Sequence, residues 1–273
     1  MKKILFLLMT LPIIMMGCNK DDDTNEITLD SIEGYYKSQK VYYNGTYYIP
    51  YITDKYAYKF SETGEIIWKN KIQYPPITVT ESHGESINLE YRSNPDIALF
   101  KDNYALYFAP STLITNAFTR YTFLDICSSN GNLIKRIKYE GDVTIHSWSN
   151  DIILVDKGEY AGCWMSKDGN ETCFQYKNEL FFLEEYIPID TIGYVTYSAS
   201  KFAIINFEKG NDSNILEKFV TEQYGNIAYK INIANVDTIG VDVIVEFDIV
   251  TKDSKTIHSA LKINATAFSY EII

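Results

Sequence analysis

One turn, repeated along the chain, constrains the fold more than any other feature. "YKFSETGEIIW" (58–68), "DICSSNGNLIK" (125–135) and "CWMSKDGNETC" (163–173) share a frame. Each runs from an apolar strand end through Ser, two further residues and Gly to Glu or Asn, then into a second strand. This pattern predicts a hairpin with a three-residue loop whose last position is left-handed. Glycine takes a positive φ there at no steric cost. The paired positions are Ser61 and Gly64, Ser128 and Gly131, and Ser166 and Gly169. Two weaker copies follow. "INFEKGNDS" (205–213) keeps Gly210, and "IVTKDSKTI" (249–257) has Thr251 for Ser and Ser254 where Gly would stand, which predicts a modified turn.

Successive turn positions from 64 to 131, 169, 210 and 254 lie 67, 38, 41 and 44 residues apart. A period near 40 with several strands per unit is the pattern of propeller blades. Apolar runs such as "YALYF" (104–108), "DIILV" (151–155), "IGYVTY" (192–197) and "INIANV" (231–236) supply the remaining strands. The long first interval contains "YPPITVTESHGESIN" (74–88), which reads as an insertion. The closing "AFSYEII" (267–273) is expected to complete the first unit and close a ring, since closure leaves only short, protected edges. Tyr is abundant at 23 residues, and with Ile, Val and Thr it favours strands over helices.

The expected fold class is therefore all-β, with β-propeller-like repeats of about 40 residues. "SETGEIIW" is similar to blade motifs of the quinoprotein-type repeat, which implies the same architecture. The alternative is a tandem β-sandwich or lipocalin-like pair of domains. "SIEGYYKSQKVYY" followed by the first hairpin resembles the opening of a bacterial lipocalin-like domain, and residues 241–263 also suit one hairpin of an immunoglobulin-like sandwich.

The N-terminus states an address. Lys2 and Lys3 precede an apolar run from Ile4 to Met16, broken only by Thr10 and Pro12, and the small Gly17 follows. That is the pattern of a secretory signal, and the run is shorter than the about 20 apolar residues a membrane-spanning helix needs. "MMGC" (15–18) resembles the lipobox of bacterial lipoproteins. The resemblance implies cleavage before Cys18, a diacylglycerol on its thiol and a further palmitate-type chain on its amino group. Two or more chains anchor stably where one does not, at about 0.8 kcal/mol per buried CH₂. "NKDDD" (19–23) resembles the acidic export signal of surface lipoproteins in one Gram-negative phylum, carried here by Lys20, Asp21, Asp22 and Asp23. "DSI" (30–32) and "DTI" (190–192 and 237–239) resemble an O-glycosylation motif of the same phylum. The expected organisation is a signal peptide over 1–17, a lipidated acidic tether over 18–29 and an all-β domain over 30–273. The expected location is the outer membrane, lipid-anchored, at the cell surface.

Loss of residues 1–17, with two lysines and no acid, takes the net charge from −11 to −13. Nucleic acids and anionic lipid surfaces both select basic proteins, so neither is an expected partner. Export also favours disulfides. Setting Lys167, Asp168 and Gly169 as the hairpin loop places Cys163 opposite Cys173, at a pair separation of about 4.5 Å that a disulfide can bridge. Cys127 is then the odd thiol and reads as buried.

No catalytic, metal or cofactor constellation is recognised. His83, His146 and His258 are far apart in sequence, and no Cys pair has zinc-finger spacing. "SHGES" (82–86) is not a nucleophile elbow. Among 36 acids, no pair is marked as a glycosidase dyad. The tyrosine doublets offer the best binding surface, because a phenol presents a flat apolar face and a polar edge. Adjacent strand residues face opposite ways, so Tyr36, Tyr43 and Tyr48 are the candidate ligand-binding stripe, with a glycan, peptide or partner protein as ligand. A glycan-active enzyme on the same scaffold and a structural subunit of an envelope complex are the alternatives.

Overall fold

The computed structural model describes residues 40–43, 46–76, 78–80, 86–88, 91, 94–109 and 121–273. The chain is all-β, and its described residues include five four-stranded antiparallel sheets. The first comprises β1 (Val41–Tyr43), β2 (Thr46–Ile52), β3 (Tyr56–Ser61) and β4 (Ile66–Lys71). A two-stranded hairpin, β5 (Thr78–Thr80) and β6 (Ser86–Asn88), occupies the insertion. The second sheet comprises β7 (Asp96–Leu99), β8 (Asn103–Phe108), β9 (Tyr121–Ser128) and β10 (Leu133–Glu140). The third holds β11 (Thr144–Ser147), β12 (Ile152–Asp156), β13 (Ala161–Ser166) and β14 (Glu171–Gln175), and the fourth β15 (Glu185–Ile189), β16 (Gly193–Tyr197), β17 (Phe202–Asn206) and β18 (Gly210–Asp212). Helix α1 (Ile215–Tyr224) leads into the fifth sheet, β19 (Ala228–Ile239), β20 (Asp242–Thr251), β21 (Thr256–Asn264) and β22 (Ser269–Ile272). In every sheet, strands adjacent in sequence are adjacent in space.

The repeated Ser has a local reason. Its hydroxyl accepts the N–H of the residue after Gly: Ser61 Oγ from Glu65 at 3.0 Å, Ser128 Oγ from Asn132 at 3.2 Å and Ser166 Oγ from Asn170 at 3.1 Å. Gly64, Gly131 and Gly169 hold φ of 91°, 81° and 76°. The fifth copy is not a modified turn. Thr251 Oγ1 accepts from Lys255 N at 3.0 Å, and Ser254 takes the same left-handed position at φ 62°. The side-chain bond holds the turn, so a serine is carried through a conformation that costs it about 1 kcal/mol or more. This copy also sits between the second and third strands of its sheet, whereas the others join the third and fourth.

Apolar faces stack the sheets in series. Leu99, Leu106 and Phe108 fill the layer between the first and second sheets with Ile52 and Ala57. Tyr107, Leu124, Ile145, Ile153 and Met165 fill the next. Trp148, Leu154, Tyr194, Ile205 and Phe207 join the third to the fourth. Ile189, Val195 and Ile204 meet Val245, Phe247 and Ile249 of the fifth sheet, with Phe219 of α1 wedged among them. Interior strands such as β3, β8 and β17 are consequently buried on both faces, while the fourth strands β4, β10 and β14 are mostly exposed. Lysines in β4 and β10 blunt those edges against pairing with other chains.

Among the described residues, no strand pairing joins the last sheet to the first. β20 alternates strictly between buried and half-buried residues, as expected of a sheet covered on one face. The expectation that residues 267–273 complete the first sheet is corrected: β22 pairs with β21, Asn264 opposite Ser269. Asn264 turns the chain back, its Oδ1 accepting the N–H groups of Thr266 at 3.0 Å and Ala267 at 2.8 Å. Among the described residues, no apolar cluster joins the fifth sheet to the first.

Cys163 and Cys173 form a disulfide across β13 and β14, with a Cα separation of 3.9 Å. Cys127 is a buried free thiol, its pKa pushed up to about 12, chiefly by burial. No described helix is long and apolar enough to cross a membrane.

A candidate binding cleft

A cleft of about 850 Å³ opens where four of the five sheets meet. Lys40 directly precedes β1 of the first sheet, Tyr47 lies in its β2, and Asp151 comes from the β11–β12 turn of the third. Glu185, Asp190 and Tyr197 come from the fourth, and Asp237 from β19 of the fifth. First strands and the turns beside them supply most of the wall, because the meanders bring those ends together.

A polar triad spans the cleft. Lys40 Nζ lies 3.4 Å from Glu185 Oε2, and Tyr197 donates its hydroxyl to the same oxygen at 2.9 Å. Burial, followed by the Glu185 charge, pushes the Tyr197 phenol well above its ordinary pKa, so it remains a donor. The Lys40 ammonium also stands 4.8 Å from the centre of the Tyr47 ring, within cation–π range. The triad therefore ties the first sheet to the fourth across an open space.

The wall is anchored from behind. Trp148 Nε1 donates to the carbonyl of Asp190 at 2.6 Å, holding the β15–β16 turn, where Asp190 itself adopts φ 48°. Tyr186 donates to the Ser147 carbonyl at 2.8 Å, fixing β15 to the third sheet. Asp151 pairs with Lys167 at 2.8 Å. Four carboxylates against one lysine make the lining acidic, and hydroxyls of Thr191, Tyr197 and Thr238 add hydrogen-bonding capacity. Such a lining suits polyhydroxylated or amide-rich ligands, which exchange water for directional hydrogen bonds.

The candidate residues distribute as follows. Cys18, Lys20, Asp21, Asp22, Asp23 and Tyr36 lie outside the described residues, as do His83 and Ser82. Tyr43 lies in β1, opposite Thr46. Tyr48 packs against the layer between the first two sheets, with Lys59 Nζ 4.4 Å from its ring centre. Its neighbour Tyr47, facing the other way, is the member of the doublet that lines the cleft. Thr191 and Thr238 of the two "DTI" segments both line it as well. Lys40, Glu185 and Tyr197 carried no local signal, since their proximity is created only by stacking the sheets. His146 and His258 are apart in role: the first is buried against Phe182, the second is exposed and 2.9 Å from Asp248.

No protein-family model matches this chain, and no curated protein does. Among solved structures it is similar to HIRA(644-1017), at 8% identity over 73% of this chain, with a TM-score of 0.37. The match covers 57% of that fragment, so this chain spans little more than half its length. It is also similar to a protein of unknown function from Bacteroides caccae, at 10% identity and a TM-score of 0.32, covering 81% of this chain and 74% of that one.

Proposed function

We propose that this chain is a lipoprotein, anchored in the outer membrane through acyl groups on Cys18 and displayed at the cell surface, whose inter-sheet cleft binds a glycan, peptide or partner protein. We read the five stacked meanders as an open, propeller-like series that holds the cleft rigid. The observation that carries the address is "MMGC" followed at once by "NKDDD". The cleft supports the binding half. It is large enough for a few sugar rings or amino-acid residues, and a triad of Lys40, Glu185 and Tyr197 presents donors and acceptors from two sheets.

Two experiments test the two halves separately. Cys18→Ala should move the protein from the membrane to the soluble fraction, and protease added to intact cells should digest the native form. Changing Asp21, Asp22 and Asp23 to Ala should keep anchoring but restore protection, and unaltered digestion would remove the export reading. For the cleft, the soluble Cys18→Ala chain is applied to glycan and peptide arrays. Retention should fall at least tenfold when Glu185→Gln and Tyr197→Phe are combined. Equal retention would place recognition elsewhere on the surface.

A further inference from the structure

The outer hairpin of the third sheet brings together more chemistry than a covalent staple needs. Cys163 and Cys173 stand opposite each other in register, and Glu171 lies two residues before Cys173 on the same face of β14. One ligand atom from each of the three lies within 4.8 Å of the others. We propose that, once reduced, Cys163, Cys173 and Glu171 form a site for a borderline divalent cation such as Zn²⁺, so that this hairpin is closed either by a disulfide or by a metal.

The backbone, not the disulfide, holds the three groups in place. Ser166 N donates to the Asn170 carbonyl at 2.9 Å and Gly169 N to the Ser166 carbonyl at 2.8 Å, closing the turn. Trp164 opposite Thr172 and Gly162 opposite Phe174 continue the ladder on either side of the cysteines. Breaking the S–S bond therefore leaves both thiols facing each other. Zinc–sulfur bonds of about 2.3 Å in a tetrahedral site need sulfurs roughly 3.7 Å apart, so metal binding requires the exposed Cys173 side chain to turn away from Cys163.

A balancing positive charge stands beside the ligands. Lys157 Nζ lies 3.6 Å from Cys173 Sγ and 3.5 Å from Glu171 Oε1. Two thiolates, one carboxylate and a divalent cation sum to one negative charge, which the Lys157 ammonium neutralises. Tyr139, from the second sheet, donates its hydroxyl to Glu171 and orients it, as the groups behind metal ligands commonly do. Cys163 is buried and Cys173 is exposed, so the solvent side stays open for water as a fourth ligand. Three protein ligands with water in the remaining position is an established zinc arrangement.

The chemistry balances with a dithiol as co-reactant. It gives two electrons and two protons to the protein disulfide and becomes a disulfide itself. The cation then displaces the two thiol protons to solvent.

The test uses the full mature chain, reduced with dithiothreitol under argon, freed of reductant and titrated with Co²⁺. One equivalent should bind with a thiolate-to-cobalt charge-transfer band in the near ultraviolet, and Zn²⁺ should abolish the band. The oxidised chain and Cys173→Ser should show none, Glu171→Gln should bind at least tenfold more weakly, and Cys127→Ala should bind normally. The proposal fails if the reduced chain gives no band, if Cys173→Ser or the oxidised chain gives the same band, or if Cys127→Ala loses it. It also fails if reduction alone abolishes the native circular dichroism.

Discussion

Lys135 Nζ donates to the carbonyl of Gly169 at 2.5 Å, so the outer strand of the second sheet holds the glycine turn of the third. The same relationship recurs one step earlier, where Asn70 of β4 donates to the Ser129 carbonyl at 2.9 Å and packs over Gly131. It recurs one step later, where Asn178, beyond β14, lies against Gly210. Each glycine thus has two reasons to be glycine: its φ is positive, and the preceding sheet occupies the space a side chain would take. The stack is locked at its rim by polar contacts as well as inside by apolar ones.

Gly169→Ala should therefore cost more than an alanine at a glycine with positive φ in open space. Its Cβ would stand 2.5 Å from Lys135 Cδ, whereas a Cβ on Gly141, φ 87°, would meet nothing within 4 Å. Strain alone is about 1–2 kcal/mol. Loss of the Lys135 bond adds about 1 kcal/mol at Gly169 only. Urea unfolding should give the larger shift for Gly169→Ala, and equal shifts would show that Lys135 moves aside freely.

These relationships also mark what the residue pattern conveys. The hairpins were legible because a Ser hydroxyl, a Gly and two flanking apolar runs act within a few residues of one another. Ser254 misled because a non-glycine was expected to change the turn, whereas it takes the same left-handed position and the Thr251 hydroxyl makes the same bond. Ring closure misled because repeat spacing says how often a meander occurs and nothing about whether the last one meets the first. The cleft was not legible at all, since Lys40 and Glu185 are neighbours only after four sheets have stacked.

His146 makes acid stability a sensitive reporter of the third and fourth sheets. It is buried, stacked on Phe182 at 4.0 Å, and its Nδ1 has no hydrogen-bond partner among the described residues. Burial pulls its pKa down from 6.5 to about 3. Above pH 6.5 the imidazole is neutral whether folded or unfolded. As pH falls from 6.5 toward 3 only the unfolded chain takes up the proton, so stability drops by about 1.4 kcal/mol per pH unit. His146→Leu should remove this slope, gaining on the native protein between pH 6.5 and 4. Parallel urea midpoints for the two proteins over that range would mean that the folded state accepts the proton.

Asn264 should decide where the last strand goes. Its Oδ1 accepts two backbone N–H groups while its Nδ2 donates to Asp242 at 3.0 Å, tying the turn to β20. Asn264→Ala removes all three bonds at an edge where β22 makes only four pairings. Amide exchange in β22 should accelerate at least tenfold, with β20 and β21 unchanged. Unchanged exchange in β22 would mean that the pairing with β21 carries the turn unaided.

The Asp125–Arg136 pair should show an asymmetric response to its two single replacements. Arg136 grips Asp125 with two bonds of 2.7 Å, from Nε and Nη2. The Asp125 side chain is 4% exposed and that of Arg136 31% exposed, so only the guanidinium has water within reach. Arg136→Met strands a buried carboxylate, which costs about 3 kcal/mol even at the low end expected when one partner touches solvent. Asp125→Asn leaves the guanidinium free to turn outward and keeps one acceptor, so about 1 kcal/mol is expected. The ordering is the decisive quantity in chemical denaturation. If Asp125→Asn costs as much as Arg136→Met, the burial of the carboxylate is not what makes this pair matter.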